Sequence, residues 1–358
     1  MAASIVRKTG KVIGIIVAIL IVFVAALVGF LTATEYNPPA TQEVEIHGAP
    51  RGKLAVGDNI SIVTWNAGYG GLSAEADFFM DGGDGVRTIS HAGVLANLAG
   101  IEDELISLDP DFIFLQEVDQ DSERTYGINE RARLATAFAP EYSSAYALNY
   151  DVAYVPYPLP PIGAVESGIM MLSSMQASSA ERVQLPCPFS WPVRLGNLKR
   201  CLLVERIPIE NSSAELVLVN LHLEAYDDGE GKAAQTAQLA QLLQDERAKG
   251  NYVIAGGDFN QSFSNVDTSA YPLLGDEYWQ CGYIDVTSLG DGFTAAMDAT
   301  VPTCRSLDRP YDGGTPFQFY MIDGFIVSDN VSIDTLTTID AGFEFTDHNP
   351  VLLNATLL

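Results

Sequence analysis

The sequence predicts an α/β domain that follows one N-terminal membrane-spanning helix. Short apolar runs rich in β-branched residues recur between residues 59 and 358, as is typical of buried strands. Helical segments, with apolar side chains three and four positions apart, alternate with those runs. With 47% hydrophobic and 18% charged residues, this chain of 358 residues has the composition of a globular protein with a large core.

The N-terminal segment is predicted to anchor the chain. Residues 1–11 are a basic flank, and residues 12–34 contain no charged side chain, which matches the ~20 apolar residues that cross a bilayer. The flank predicts a cytoplasmic N-terminus and an extracytoplasmic remainder, hence a single-pass protein of the cell membrane. A cleaved signal sequence is the alternative, because small residues occur at 32–34, although signal cores usually have about 7–15 apolar residues. The polar residues 35–57, with Pro and Gly, are predicted to be a tether.

The elements of residues 58–358 follow in order from local patterns. A helix is predicted at 88–108, because its apolar side chains fall on one face and Pro110 ends it. A second helix, Lys232–Lys249, is rich in Ala, Gln and Leu and ends before Gly250. The predicted strands are Ile60–Trp65, Phe112–Val118, Leu202–Ile207, Leu216–His222, Tyr252–Ala255, Tyr320–Val327 and Val351–Leu357.

Two long segments, residues 141–200 and 261–319, have no assigned element. The first is rich in Tyr and Pro, and the second is rich in Asp and Gly. Long connections in a compact domain are often functional, and surface elaboration is the alternative interpretation. No internal repeat or sharp change in composition indicates a second domain.

The charge of the chain is strongly acidic. Residues 1–34 hold three basic and no acidic side chains, so the remainder carries 46 acidic and 16 basic residues. Such a surface repels polyanions at long range and lacks the basic stripe of a dedicated nucleic-acid-binding protein. A nucleic-acid substrate stays possible in principle, because bound divalent cations neutralise a site locally.

Four cysteines lie beyond the apolar segment. An oxidising compartment would permit disulfides, and proximity in sequence favours Cys187–Cys201 and Cys281–Cys304 among the three possible pairings. None of the cysteines has CxxC spacing, which argues against a structural zinc site.

Polar residues that can bind metal or move protons stand at the ends of the apolar runs or inside them. Ligands of open α/β sheets collect at strand ends, so these side chains are candidates for a shared site. Singly, an Asp or Asn after a strand is usually a turn former, and a histidine can be a hydrogen-bonded core residue. A carboxylate inside an apolar strand, however, needs a partner. The candidates are Asn66, Glu117, His222, Asp258, Asn260, Asp323, Asp347 and His348.

The residue types fit metal-assisted attack on a phosphoester. Magnesium prefers oxygen ligands and keeps several waters, so one or two carboxylates and a substrate phosphate suffice. Such an ion polarises the phosphoryl oxygen and stabilises the leaving oxygen. A histidine with a pKa near neutrality can take a proton from water when a carboxylate behind it fixes its tautomer.

Six motifs in chain order resemble the endonuclease/exonuclease/phosphatase superfamily, which includes deoxyribonucleases, abasic-site endonucleases, sphingomyelinases and inositol-phosphate phosphatases. The resemblance runs from about residue 59 to 358 and implies a four-layer sandwich of two packed mixed β-sheets with helices outside. Ser167–Ser173 also resembles the central glycine-containing strand of the family. The six motifs are Thr64-Trp65-Asn66, Leu115-Gln116-Glu117, Asn220-Leu221-His222-Leu223, Gly257-Asp258-Phe259-Asn260, Ile322-Asp323 and Thr346-Asp347-His348-Asn349-Pro350.

The resemblance also implies a metal site for Mg²⁺ or Mn²⁺. Glu117 would be the principal ligand, and Asn66 and Asp347 would belong to the metal and water shell. Thr346 stands where serine is common in the family, a change that keeps the hydroxyl group.

The same resemblance implies catalytic roles for five residues. His348 would be the base that activates water, and Asp323 would orient it. Asp258 and Asn260 would position the nucleophile and the scissile phosphate, while His222 would bind or protonate a phosphate oxygen.

The expected function is that of an extracytoplasmic, membrane-anchored phosphodiesterase. A nuclease and a phospholipid- or sphingomyelin-cleaving enzyme are about equally favoured by the sequence. A phosphomonoesterase is the third alternative. A nuclease would need local cations, for which Lys199, Arg200, Arg305 and Arg309 are the candidates. A non-catalytic binding module that keeps the fold is the alternative from another class. A monomer is the default expectation.

Overall fold

Two β-sheets pack face to face with helices on their outer surfaces, so the predicted four-layer α/β sandwich is confirmed. The architecture comes from a computed structural model that describes residues 2–227, 229–314 and 316–358. Within these ranges the α-helices are α1 (Ala2–Ala33), α2 (His91–Leu108), α3 (Glu130–Ala137) and α4 (Glu230–Ala248).

The described strands follow the chain order. They are β1 (Thr41–Val44), β2 (Asn59–Asn66), β3 (Phe112–Asp119), β4 (Ser143–Val155), β5 (Gly163–Ser173), β6 (Ser179–Gln184), β7 (Cys201–Pro208), β8 (Glu215–His222), β9 (Tyr252–Asp258), β10 (Ser262–Phe263), β11 (Tyr283–Ile284), β12 (Phe293–Ala296), β13 (Cys304–Arg305), β14 (Phe319–Tyr320), β15 (Asp323–Ser328), β16 (Val331–Thr338) and β17 (Val351–Leu357).

Both large sheets are mixed. The first has the order β1-β6-β7-β8-β9-β15-β12, and the second has the order β16-β17-β2-β3-β5-β4. In each sheet one central pair is parallel, β8 with β9 and β2 with β3, and the neighbouring pairs are antiparallel. The two parallel pairs place the carboxyl ends of four strands at the same edge of the sandwich.

Alternation of side chains along the strands builds three apolar layers. Ile62, Phe114 and Leu218 face the core between the sheets. The opposite face of the second sheet packs against α2 and α3, and that of the first sheet packs against α4. Burial of each large apolar side chain contributes roughly 1.5–3 kcal/mol, so these layers fix the positions of the strand ends.

The first helix of the domain begins at His91 rather than at residue 88. Ser90 is its N-cap, with extended backbone angles and a side chain that accepts a hydrogen bond from the Gly93 amide at 3.0 Å. Asp109, in the left-handed conformation, ends the helix ahead of Pro110.

The segment 141–200, to which local patterns assigned no element, contributes strands β4, β5 and β6, and β5 contains Ser167–Ser173, the strand expected from the family resemblance. Register shifts between Leu148 and Tyr150 and between Val152 and Val155 interrupt the alternation of β4, which hides it from pattern analysis. The predicted strand Tyr320–Val327 is in fact divided. Tyr320 pairs with β13 as part of β14, and β15 begins at Asp323 and pairs with β9.

Part of the predicted tether at 35–57 belongs to the folded domain. Thr41–Val44 pairs with β6 at the edge of the first sheet, and Leu54 is buried in the core between the sheets. Ahead of it, α1 contains the segment Lys8–Ala33, which by length and composition can cross a membrane.

The four cysteines are free thiols, so neither Cys187–Cys201 nor Cys281–Cys304 is bonded. Cys281 and Cys304 do share one small apolar cluster with Tyr320 and Trp279, whereas Cys201 lies in the core between the sheets.

Candidate active site

Three candidate residues of the first sheet lie side by side on neighbouring strands. Asp258, the last residue of β9, is opposite His222 of β8 and opposite Asp323, the first residue of β15. Neighbouring strands are about 4.8 Å apart, so this register alone holds the three side chains within reach of one another.

Glu117 reaches the site through a distortion of β3. The pairing of β3 with β5 shifts register between Leu115 and Val118, and Glu117 has a φ of 52°. A left-handed backbone costs a non-glycine residue about 1–3 kcal/mol, and bulges re-aim side chains next to active sites. Gln116 instead joins the two sheets, because its Nε2 donates to Asn220 Oδ1 at 2.8 Å.

One cavity of about 730 Å³ collects most of the candidates. Asn66 and Asp323 do not line it but contact lining residues from behind. The sequence motifs that are far apart along the chain therefore meet at one edge of the sandwich. The lining candidates are Glu117, His222, Asp258, Asn260, Asp347 and His348.

His348 and Asp323 form a buried pair. The Nδ1 atom of His348 lies 2.9 Å from Asp323 Oδ2, which favours the tautomer with its proton on Nδ1 and leaves Nε2 facing Asp258 Oδ2 at 3.8 Å. The backbone of His348 is fixed as well, because Trp65 Nε1 donates to its carbonyl at 2.9 Å. Both side chains are almost fully buried, so the pair is held in one orientation.

The charge state of His348 depends on its carboxylate neighbours. Burial lowers the pKa of His348, but Cys304, Asp323 and Asp347 together raise it well above the ordinary value. Burial also raises the pKa of the Cys304 thiol to about 12, so this group is neutral near pH 7 and the two carboxylates account for the effect. A divalent cation at Asp347 would offset one of those charges and oppose the increase.

Asp258 is the most connected carboxylate of the site. Its Oδ1 accepts from the Asn260 amide at 2.8 Å, and its Oδ2 accepts from Asn66 Nδ2 at 3.1 Å and lies 3.5 Å from His222 Nε2. Burial and the charge of Asp323 raise the pKa of Asp258 to about 7. Burial and the charge of Arg200 lower the pKa of His222 well below its ordinary value, so His222 is neutral.

The donor set fits a hard divalent cation. Glu117 and Asp347 present carboxylate oxygens to the same cavity, and burial and the charge of Asp347 raise the pKa of Glu117. A cation between such groups would relieve their repulsion, and oxygen donors suit Mg²⁺ or Mn²⁺. Asn66 supports Glu117 through a 3.1 Å hydrogen bond from Nδ2, while its Oδ1 accepts from Gly68. It therefore positions the carboxylate from behind.

A second group of possible ligands, Cys304, Asp347 and His348, comes together in the same place. A thiolate ligand would favour a softer ion such as zinc. The high pKa of the Cys304 thiol disfavours that use, because only the thiolate binds metal.

Several residues of the cavity were missed in the sequence. Tyr69, buried in a turn after β2, lies against the guanidinium of Arg124, whose carbon is 3.6 Å from the ring centre. Arg124 is itself held by two hydrogen bonds to Asp119. The run Asn66-Ala67-Gly68-Tyr69-Gly70 directly after a strand is a recognisable turn signal, whereas nothing local to Arg124 marks it as part of a site.

Comparison with known proteins gives one family match and several solved structures with a similar fold. The model of the endonuclease/exonuclease/phosphatase family matches residues 63–341. A solved protein of this description from Beutenbergia cavernae DSM 12333 is 17% identical, with a TM-score of 0.57, and the match covers 84% of this chain and 72% of the other. One from Bacteroides vulgatus is 14% identical, with a TM-score of 0.52 over 84% of this chain and 100% of the other.

The human Nocturnin catalytic domain with a bound sulfate anion is also similar in structure. It is 14% identical, with a TM-score of 0.50, and the match covers 88% of this chain and 98% of that domain. No curated protein sequence matches the chain.

Proposed function

Because this chain belongs to the endonuclease/exonuclease/phosphatase family, whose members are metal-dependent phosphoric ester hydrolases, we propose that it is a membrane-anchored, magnesium-dependent phosphodiesterase. The observation that carries the proposal is the His348–Asp323 pair, because His348 lines the same cavity as Glu117 and Asp347 while Asp323 holds it from behind.

In the proposed reaction, water attacks phosphorus and the bond to the leaving oxygen breaks. His348 Nε2 takes the proton of the attacking water, and Asp323 holds the ring and stabilises the imidazolium that forms. Asp258 and Asn260 position the water and the phosphate, and neutral His222 contacts a phosphate oxygen. His222 lines the cavity and its Nε2 lies 3.5 Å from Asp258 Oδ2, which supports this substrate contact.

Glu117 and Asp347 would hold the metal, and Asn66 would support them. A bound Mg²⁺ would supply charge stabilisation at the phosphoryl and leaving oxygens. Mn²⁺ has the same preference for oxygen donors and would substitute for it.

The attachment to the membrane is supported by α1. Its last turn packs on the domain, where Leu31 joins an apolar cluster with Val152 and Val155. A cleaved signal sequence would leave this cluster uncovered, so the contact favours an anchor that stays. The basic flank favours a cytoplasmic N-terminus and an extracytoplasmic catalytic domain.

The experiment is hydrolysis of bis-p-nitrophenyl phosphate by the full-length protein with Mg²⁺ and, separately, Mn²⁺. His348→Ala should lower kcat by about 10²–10⁴-fold, the usual contribution of a general base. Glu117→Gln should lower activity and raise the Mg²⁺ concentration required. His91→Ala, at the exposed start of α2, is the matched control and should retain activity.

Absence of turnover with every divalent metal would refute the proposal. Metal binding without turnover of any phosphoester would instead support a binding module that keeps the fold.

A further inference from the structure

The last turns of α1 pack beside the wall of the cavity. Leu27, Val28 and Leu31 of α1 pack in one cluster with Val155 and Ile162, and those two residues also line the cavity. The same apolar cluster therefore joins the end of the helix to the wall of the cavity that holds the candidate catalytic groups.

Polar contacts fix the helix end at this position. Trp191 Nε1 donates to Thr32 Oγ1 at 3.1 Å. Glu35, which follows the helix, accepts from Arg194 at 3.1 Å and from Lys199 at 3.0 Å. Glu35 and Lys199 are largely buried, so this ion pair holds the start of the domain against the surface from which the helix emerges.

Solvent-exposed apolar side chains lie on the same side of the molecule. We define the apolar rim as Tyr157, Leu159, Trp191 and Val193, which are 70%, 85%, 53% and 59% exposed. Tyr157 and Val193 belong to the cavity wall as well. Tyr and Trp are enriched where proteins meet the bilayer surface, and an exposed Leu gains roughly 1.5–3 kcal/mol when it leaves water.

The arginines of the cavity wall are engaged within the protein. Arg124 binds Asp119, and Arg200 binds Glu224 at 3.2 Å. Arg305 donates to backbone carbonyl groups. A nucleic-acid strand presents one phosphate per nucleotide and is bound through several cations at once, whereas a lipid presents its headgroup alone. The wall therefore fits a substrate molecule that has one phosphoester group and is otherwise apolar.

We propose that the cavity opens toward the bilayer that α1 crosses and that its substrate is the phosphodiester headgroup of a membrane lipid. This inference rests on the proposed hydrolytic function. The apolar rim enters the interface, the acyl chains stay in the bilayer, and the headgroup reaches Asp258 and His348. Hydrolysis adds the hydroxyl group of water to phosphorus and its proton to the leaving oxygen, so no other reactant is needed.

The test uses the full-length protein in vesicles of phosphatidylcholine, of phosphatidylcholine with sphingomyelin, and of phosphatidylcholine with phosphatidylinositol phosphates. Release of the headgroup is measured beside hydrolysis of bis-p-nitrophenyl phosphate, and single-stranded and double-stranded DNA and RNA are the competing substrates. Leu159→Asp places a charge on the apolar rim at a residue that does not line the cavity. Leu273→Asp makes the same change at another exposed leucine and is the control.

Leu159→Asp should lower lipid hydrolysis at least about tenfold, which corresponds to about 1.4 kcal/mol of lost interfacial binding. Hydrolysis of the soluble diester should be unchanged in Leu159→Asp, and both activities should be unchanged in Leu273→Asp. Equal effects of the two variants, or turnover of nucleic acid but of none of the lipids, would overturn this inference while leaving the phosphodiesterase intact. Failure of the soluble diester reaction as well would reject the proposed function itself.

Discussion

Replacement of Asp323 by asparagine tests whether His348 is the proton acceptor. Asp323 Oδ2 lies 2.9 Å from His348 Nδ1, and both groups are buried. A hydrogen bond to a charged group contributes roughly 1.5–3 kcal/mol, which predicts a fall in kcat of about 10- to 150-fold. If the asparagine also permits the wrong tautomer, the loss grows toward the 10²–10⁴-fold that general base catalysis contributes.

The assay is steady-state hydrolysis of bis-p-nitrophenyl phosphate with saturating Mg²⁺. KM should stay nearly constant in Asp323→Asn, because Asp323 does not line the cavity and acts through His348. Glu205→Gln is the matched control, since Glu205 is a buried carboxylate of the same sheet and has no hydrogen-bond partner among the described residues. Full activity of Asp323→Asn, or an equal loss in Glu205→Gln, would refute the reasoning.

Three further predictions concern metal, pH and the joint between the sheets. Glu117→Gln should raise by about tenfold or more the Mg²⁺ concentration needed to produce a given increase in melting temperature, a readout independent of turnover. Burial raises the pKa of Glu205 to about 8 from the ordinary 4.5, so its charging should destabilise the fold progressively as pH rises from about 4.5 to 8. In urea unfolding, the free energy of unfolding of Glu205→Gln should equal that of the unmodified protein near pH 4.5 and should be higher by several kcal/mol at pH 8, since each pH unit contributes about 1.4 kcal/mol. A difference between the two proteins that does not change with pH would contradict this. Gln116→Leu should lower the free energy of unfolding by about 1–3 kcal/mol, because Asn220 Oδ1 loses its donor between the sheets; an unchanged urea midpoint would contradict it.

The sequence allowed the layers and the candidate residues to be predicted, because both depend on short patterns. The strands from Phe112 and Val351 are apolar runs, the helix at 88–108 has helical periodicity, and the structure contains all three within a few residues. The candidate residues were found because apolar runs of both sheets end at one edge, where the register places Asp258 between His222 and Asp323. Their roles in the reaction stay predictions.

The missed features depend on contacts between distant parts of the chain. The positive φ of Glu117 arises from a register shift against β5, a strand that local patterns did not indicate and that was expected only from the family resemblance of Ser167–Ser173. The edge strand Thr41–Val44 is short and polar, and only its pairing with β6 makes it a strand. Cysteine spacing in sequence likewise did not predict the free thiol of Cys201, which is buried in the core between the sheets.

The proposed attachment to the membrane and the candidate site depend on the same hairpin. Strands β4 and β5 carry Val152, Val155 and Val165, which cover the last turn of α1, and the loop between these strands carries Tyr157 and Leu159 of the apolar rim. Removal of α1 would expose that cluster beside the mouth of the cavity, so loss of this helix would disturb the wall of the cavity as well as the proposed membrane attachment. Deletion of α1 therefore cannot separate an effect on attachment from an effect on the site, whereas Leu159→Asp in the full-length protein can.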